Sequence, residues 1–134
     1  MPRFMLDTNI CIHVTKRNEP EVLRRLEKTR RDDVAISGVV AAELWTGVMK
    51  SRERERNEQT LREFLAFVEV LDWPAEAART YGEIRAALAR EGQPIGAMDL
   101  LIAAHAVYEH AMLATRNRKE FERIRELRVE SWTR

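Results

Sequence analysis

The chain has 134 residues, of which 45% are hydrophobic and 34% charged, and its formal net charge is only +1. This length suits one compact domain, the near-neutral charge argues against non-specific binding of polyanions by the whole surface, and no segment approaches the roughly 20 apolar residues of a membrane span. Cys11 is the only cysteine, so an intrachain disulfide is excluded, and Asp7 interrupts the first apolar run too early for a signal peptide. We therefore expect a single cytoplasmic domain over residues 1–134.

The first half of the chain alternates short apolar runs with helical patterns. An apolar strand is predicted over residues 3–6, because Asp7-Thr8-Asn9 follows it with side chains that favour turns and helix caps. The charge-dense residues 51–57 are either the solvated end of a helix or a hinge. The other elements predicted here are helices over 10–15, 22–26, 39–50 and 60–67 and strands over 34–36 and 68–71.

The second half continues the alternation. Good helix formers fill residues 75–90 and stop at Glu91-Gly92. Strands that alternate with helices imply parallel pairing, with helices on both faces of the sheet. The sequence therefore predicts an α/β/α sandwich around a central parallel sheet of about five short strands. The remaining predicted elements are a helix over 97–109, a strand over 111–114, a helical turn over 119–124 and a strand over 128–132.

Three acids, Asp7, Glu43 and Asp99, lie against apolar runs. Asp7 follows the first strand, Glu43 shares a helix side with Val40 and Leu44, and Asp99 is the only charge in residues 95–104. A buried carboxylate costs several kcal/mol unless it is paired or bound to a metal, so three in matching settings indicate one shared cation. The alternatives are a helix cap at Asp7, a surface position for Glu43 and a helix-dipole position for Asp99.

A fourth position near these acids has two candidates. Asn117 follows the strand predicted over 111–114, and Glu120 comes one helical turn later. Oxygen ligands suit Mg²⁺ or Mn²⁺ and suit zinc poorly, and the three histidines show no paired metal spacing. A hard cation there would polarise a phosphoryl oxygen and lower the pKa of bound water. Phosphodiester hydrolysis is the reaction class that such a site suits.

Four segments form an ordered set along the chain: residues 4–12, Glu43-Leu44 with Gly47, Pro94-Ile95-Gly96 with Asp99, and residues 114–117 with Glu120-Phe121. Together they resemble the PIN-domain ribonucleases of bacterial toxin–antitoxin modules, and the likeness is to the VapC type. It covers nearly the whole chain. The resemblance implies a Mg²⁺- or Mn²⁺-dependent endoribonuclease that acts on structured RNA such as transfer RNA, forms a homodimer and is inhibited by a cognate VapB-like antitoxin.

The same resemblance assigns roles to individual residues. Asp7, Glu43 and Asp99 match the family's catalytic acids. Of these, Asp7 and Asp99 are the expected direct metal ligands. Thr8 and Thr115 match hydroxyl positions that hold the acids or a water molecule.

The chain departs from the family pattern at Asn117, where many PIN domains have a fourth acid. We expect Asn117 to be the fourth catalytic residue, with Glu120 as a possible supporting residue and the alternative for that position. Whether one or two metals bind is left open. Arg116, Arg118 and Lys119 are placed to neutralise RNA phosphates, unless they are ordinary solvated residues. The departure is also the only support for the alternative function, a catalytically weak or inactive PIN-fold module that binds RNA or protein.

Overall fold

A sheet of five parallel strands forms the centre of the molecule. The structure is a computed structural model and describes residues 2–133. The first strand lies in the middle, with its two sides taken by different halves of the chain, and this confirms the predicted parallel α/β sheet. In the order in which they pair, the strands are β3 (Glu69–Leu71), β2 (Val34–Ser37), β1 (Phe4–Leu6), β4 (Met112–Thr115) and β5 (Val129–Ser131).

Helices connect the strands and flank the sheet. None of the helices within residues 2–133 is long and apolar enough to cross a membrane. A short 3₁₀ turn, Arg31–Asp33, leads into β2. The helices are α1 (Thr8–Lys16), α2 (Pro20–Lys28), α3 (Gly38–Lys50), α4 (Arg54–Phe67), α5 (Ala77–Arg90), α6 (Ala97–Tyr108) and α7 (Arg118–Phe121).

The boundary between α3 and α4 differs from the prediction. Residues 51–57 were expected to be a solvated helix end or a hinge, but only residues 51–53 separate the two helices. Charged side chains with good helix propensity fill the first turns of α4, and the Arg62 Nε donates to Glu58 Oε2 at 3.0 Å across one turn. These local interactions start the helix at Arg54, ahead of its first buried residue, Leu61.

The middle of the sheet is sealed from solvent. All three residues of β1 are buried, and Trp132 packs edge to face on Phe4 with ring centroids 5.6 Å apart. In register, Met5 pairs with Ala35 of β2 on one side and Leu113 of β4 on the other. Strands β1 and β4 therefore end side by side, where the strand order changes direction and where ligands bind in open parallel sheets.

Candidate active site

Asp7 is held at the carboxyl end of the central strand. Its backbone N–H donates to the Ala114 carbonyl at 3.0 Å, its Oδ1 accepts from the Ile10 N–H at 2.9 Å, and its Oδ2 accepts from the Thr115 hydroxyl. Asp7 is therefore the N-cap of α1 as well as a buried acid, only 4% exposed. Burial raises its pKa, although the hydrogen bonds from Thr115 and Ile10 oppose that shift.

Glu43 approaches Asp7 from helix α3. The hydroxyl of Thr8, the residue after Asp7, donates to Glu43 Oε1 at 2.5 Å. Glu43 is partly buried, between the buried Leu44 and the partly exposed helix face, and its charge helps to raise the pKa of Asp7. Because the apolar residues beside Glu43 pack into the core, this face of α3 brings the Glu43 side chain close to Asp7.

Asp99 lies in the first turn of α6 and completes the group of acids. Burial raises the pKa of Asp99 to about 6, with further contributions from the charge of Glu120, a hydrogen bond with Glu120, and the charges of Glu43 and Asp7. Four carboxyl groups from four different elements thus act on one another. We call Asp7, Glu43, Asp99 and Glu120 the acidic cluster.

The structure gives Asn117 and Glu120 different places. Glu120 belongs to the acidic cluster, whereas Asn117 is exposed at the start of α7. The Asn117 side-chain amide donates to Glu120 Oε2 at 2.7 Å, and its backbone N–H donates to the Thr115 hydroxyl at 2.9 Å. Asn117 therefore supports both Glu120 and the hydroxyl that contacts Asp7.

The acidic cluster suits a divalent cation. Its donors are carboxylate oxygens, and burial, followed by the charges of neighbouring acids, raises the pKa values of Asp7 and Asp99. A bound cation would favour the ionised form of both side chains. Within residues 2–133, no three Asp, Glu, His or Cys side chains form a ready-made ligand set. Divalent cations can also be bound by one or two carboxylates with water completing the coordination.

Basic side chains flank the acidic cluster. Arg116, Arg118 and Lys119 are exposed in the segment that follows β4. Arg116 Nη1 lies 3.3 Å from His13 Nε2, and Arg118 forms an exposed ion pair with Glu122 at 3.2 Å. His13, one of the three histidines without paired metal spacing, also lowers the pKa of Asp7 through its charge. No motif in the sequence indicated this proximity, because it depends on the packing of α1 beside β4.

A groove of about 610 Å³ begins at Glu43 and runs between α1, α3 and α4. Its walls combine apolar residues such as Ile12 and Leu61 with the charged Lys16 and Arg56. No local sequence pattern predicted this groove, because residues more than forty positions apart line its two sides.

Comparison with known proteins places this arrangement in a family. The PIN domain matches residues 4–127, and the chain belongs to the PIN-domain family. It is 43% identical over 133 residues to the tRNA(fMet)-specific endonuclease VapC of Shigella flexneri, covering 99% of this chain and 100% of that protein. It is 43% identical over 130 residues to Ribonuclease VapC2 of Rickettsia felis, covering 96% and 97% of the two chains.

The fold agrees with solved structures of the same type. A crystal structure of DNA-bound VapBC from Salmonella typhimurium contains a chain that superposes with a TM-score of 0.93 at 40% identity, covering 98% of this chain and 99% of that one. VapBC2 from Rickettsia felis, bound to a promoter DNA fragment, gives a TM-score of 0.90 at 42% identity, with 96% and 98% covered. The resemblance to the VapC type is thereby confirmed.

Proposed function

We propose that this protein is a metal-dependent endoribonuclease, the toxin of a toxin–antitoxin pair, and that it hydrolyses phosphodiester bonds in transfer RNA. The acidic cluster at the ends of β1 and β4 carries this proposal, because it unites four carboxyl groups in the crevice where a substrate would bind. The endonucleases of this type from Shigella flexneri and Salmonella typhimurium are named as specific for tRNA(fMet). That tRNA is therefore the first substrate to test.

We assign the metal to Asp7 and Asp99, with Mg²⁺ or Mn²⁺ as the ion. When bound, such an ion polarises the phosphoryl oxygen and lowers the pKa of a water ligand. The Thr115 hydroxyl donates to Asp7 Oδ2, and the α1 backbone donates to Oδ1. These two hydrogen bonds fix the orientation of the Asp7 carboxylate. The two ligands come from the end of a strand and the start of a helix, both rigid elements, so their separation is set by the fold.

Glu43 and Glu120 have supporting roles in this proposal. Thr8 holds Glu43 Oε1, and the other oxygen is left to orient the attacking water and accept its proton. We assign the fourth position to Glu120 rather than Asn117, because the charge of Glu120 acts directly on Asp99, whereas the Asn117 amide donates to Glu120. Arg116, Arg118 and Lys119 would contact RNA phosphates beside the cut bond.

The groove beside Glu43 gives the antitoxin a place to bind. The similar structures from Salmonella typhimurium and Rickettsia felis are VapBC complexes, and we infer a VapB-like antitoxin for this chain as well. An amphipathic segment would place its apolar side on Ile12 and Leu61 and reach the acidic cluster at Glu43. We further propose that residues 1–134 form one domain, that the toxin is a homodimer and that it acts in the cytoplasm.

Cleavage of total bacterial RNA tests the function. Purified protein, free of antitoxin, is incubated with RNA and Mg²⁺ or Mn²⁺, and the 5′ ends of the fragments are mapped. Discrete cuts in tRNA are expected with the native protein and with Asp72→Asn, an exposed acid outside the acidic cluster. Cuts should be absent with EDTA and with Asp99→Asn. Intact RNA in every sample, with bound RNA still detectable, would favour the alternative, a PIN-fold binding module without nuclease activity.

A further inference from the structure

A second, smaller recess lies away from the acidic cluster. It has a volume of about 220 Å³ and lies between the C-terminal end of α5 and the segment that follows α7. Apolar side chains form part of its wall, among them Ile84 and Leu88. Its charged residues are three arginines, Arg90, Arg123 and Arg125, and two glutamates, Glu91 and Glu126.

The three arginines are available to a ligand. In the part of the chain that the structure describes, none of them forms an ion pair with an acid, whereas Arg79 of the same helix α5 pairs with Glu83. All three are exposed, although Arg123 Nη1 donates to the Pro94 carbonyl at 3.2 Å. A guanidinium group presents several N–H donors in a fixed fork that matches a phosphate.

The recess is joined to the acidic cluster by two short connections. The Arg123 backbone N–H donates to the carbonyl of Glu120, a member of the cluster, at 3.3 Å. The Arg123 side chain donates to Pro94, and the segment from Pro94 leads directly into α6 and Asp99. Arg123 thus lies one helical turn from one acid of the cluster and contacts the loop that precedes another. A polynucleotide that runs from the acidic cluster toward α7 would therefore pass over this recess.

We propose that this recess is a phosphate-binding subsite for the RNA backbone, in which Arg90 and Arg125 hold a phosphate next to the cleavage site and Arg123 positions the recess against the 94–96 loop. The proposal rests on the proposed ribonuclease function and adds to it where the RNA lies. It predicts that RNA affinity depends on these arginines, while the chemical step at the acidic cluster does not.

RNA binding tests the subsite directly. The double variant Arg90→Gln/Arg125→Gln is compared with Arg79→Gln/Arg85→Gln, which removes two exposed arginines from α5, one paired with Glu83 and the other bonded to Tyr81. Both are made in the Asp99→Asn background, so that RNA stays intact. By fluorescence anisotropy with labelled tRNA, the recess variant should bind about tenfold more weakly, and the slope of log K against log salt should fall by roughly 1.5. The control should change much less.

Equal losses in the two double variants would overturn the proposal, because the effect would then come from net charge alone. Unchanged affinity in the recess variant would overturn it as well. A kinetic test on the otherwise native protein separates this proposal from the ribonuclease function. A raised KM with unchanged kcat supports the subsite, and an unchanged KM contradicts it. If the native protein cuts no RNA but the recess variant still loses affinity, the nuclease assignment fails and the subsite stands.

Discussion

Helix α6 carries an acid and a histidine whose surroundings in the folded protein are opposite. Asp99, in the first turn, faces three other acids, and its pKa is raised to about 6. His105, near the other end, is fully buried beside Ser37, with Nδ1 2.8 Å from the Ser37 Oγ, and burial lowers its pKa. Both stand among apolar residues in the sequence. Asp99 lies beside other negative charges at the proposed ligand site. His105 is buried, and its lowered pKa favours the neutral form.

A titratable residue among apolar neighbours can therefore have a functional role, as we propose for Asp99, or a structural role, as we propose for His105. Ser37 ends β2 and caps α3 by accepting from the Val39 N–H at 3.1 Å. The contact between His105 and Ser37 therefore fixes α6 against α3, and these two helices carry Asp99 and Glu43. Within residues 2–133, the Nε2 of His105 is the buried side-chain polar atom that has no hydrogen-bond partner. We infer that His105 holds the helices that carry the acids, whereas Asp99 takes part in the chemistry.

The largest effect is expected from the acids. Asp7→Asn and Asp99→Asn should each lower the single-turnover rate of tRNA cleavage by about 10³-fold or more, because each removes a charged ligand from the metal site. Asparagine at position 7 retains the helix cap, so circular dichroism should show a folded protein. A loss of less than tenfold in either variant would contradict the assignment of metal ligands.

His105→Ala should act on stability and leave the chemistry in place. Removing a buried ring and its bond to Ser37 should reduce the free energy of unfolding by about 3 kcal/mol, measured by urea denaturation. Ser37→Ala is the matched variant on the other side of the contact and should cost about 1 kcal/mol. Cleavage per folded molecule should stay within a few-fold of native. A stable His105→Ala protein that has lost cleavage would place His105 in the chemistry instead.

The lowered pKa of His105 predicts how stability depends on pH. Since the folded pKa lies below the unfolded value of about 6.5, the unfolded chain binds a proton that the folded chain excludes. Stability from this group is complete above pH 6.5 and falls as the pH drops toward the folded pKa. Between pH 7.5 and 5.5 we therefore expect a loss in the free energy of unfolding. The loss should be smaller in His105→Leu, and an identical pH dependence in both proteins would rule out this cause.

Asp99 should have the opposite, smaller effect on stability. A raised carboxyl pKa means that the ionised form is disfavoured in the folded protein, so this group loses stabilising effect as the pH rises through about 6. In EDTA at pH 7.5, Asp99→Asn should therefore raise the free energy of unfolding by about 0.5–1 kcal/mol, after allowance for solvent screening. Adding Mn²⁺ should stabilise the native protein more than the variant. A destabilised Asp99→Asn protein in EDTA would show that the acids do not repel one another.

The local sequence pattern predicted the strands of the sheet and three of the acids in the acidic cluster. The alternation of apolar runs with helical spacing predicted five strands and their parallel pairing, and the apolar surroundings of Asp7, Glu43 and Asp99 marked these acids as unusual. The early start of α4 was missed because its first turns carry no buried residues, and the prediction depended on apolar periodicity.

Contacts distant in sequence could not be predicted in the same way. Glu120 and Asp99 act on each other from different helices, α7 and α6, whereas the sequence favoured Asn117 for the fourth position. His105 and Ser37 are 68 positions apart, and nothing in either local pattern indicates the other. Side-chain pairs of this kind depend on helix rotation, which a single sequence does not specify.

We claim that the acidic cluster forms one cation-dependent nuclease centre. The most direct test is to titrate Mn²⁺ into metal-free protein while following bound Mn²⁺ by electron paramagnetic resonance and the cleavage of purified tRNA(fMet) in the same samples. We expect cleavage to appear as Mn²⁺ binds, and both signals to disappear in the Asp7→Asn/Asp99→Asn double variant. Cleavage that persists without a divalent ion, or that survives in the double variant, would contradict the claim.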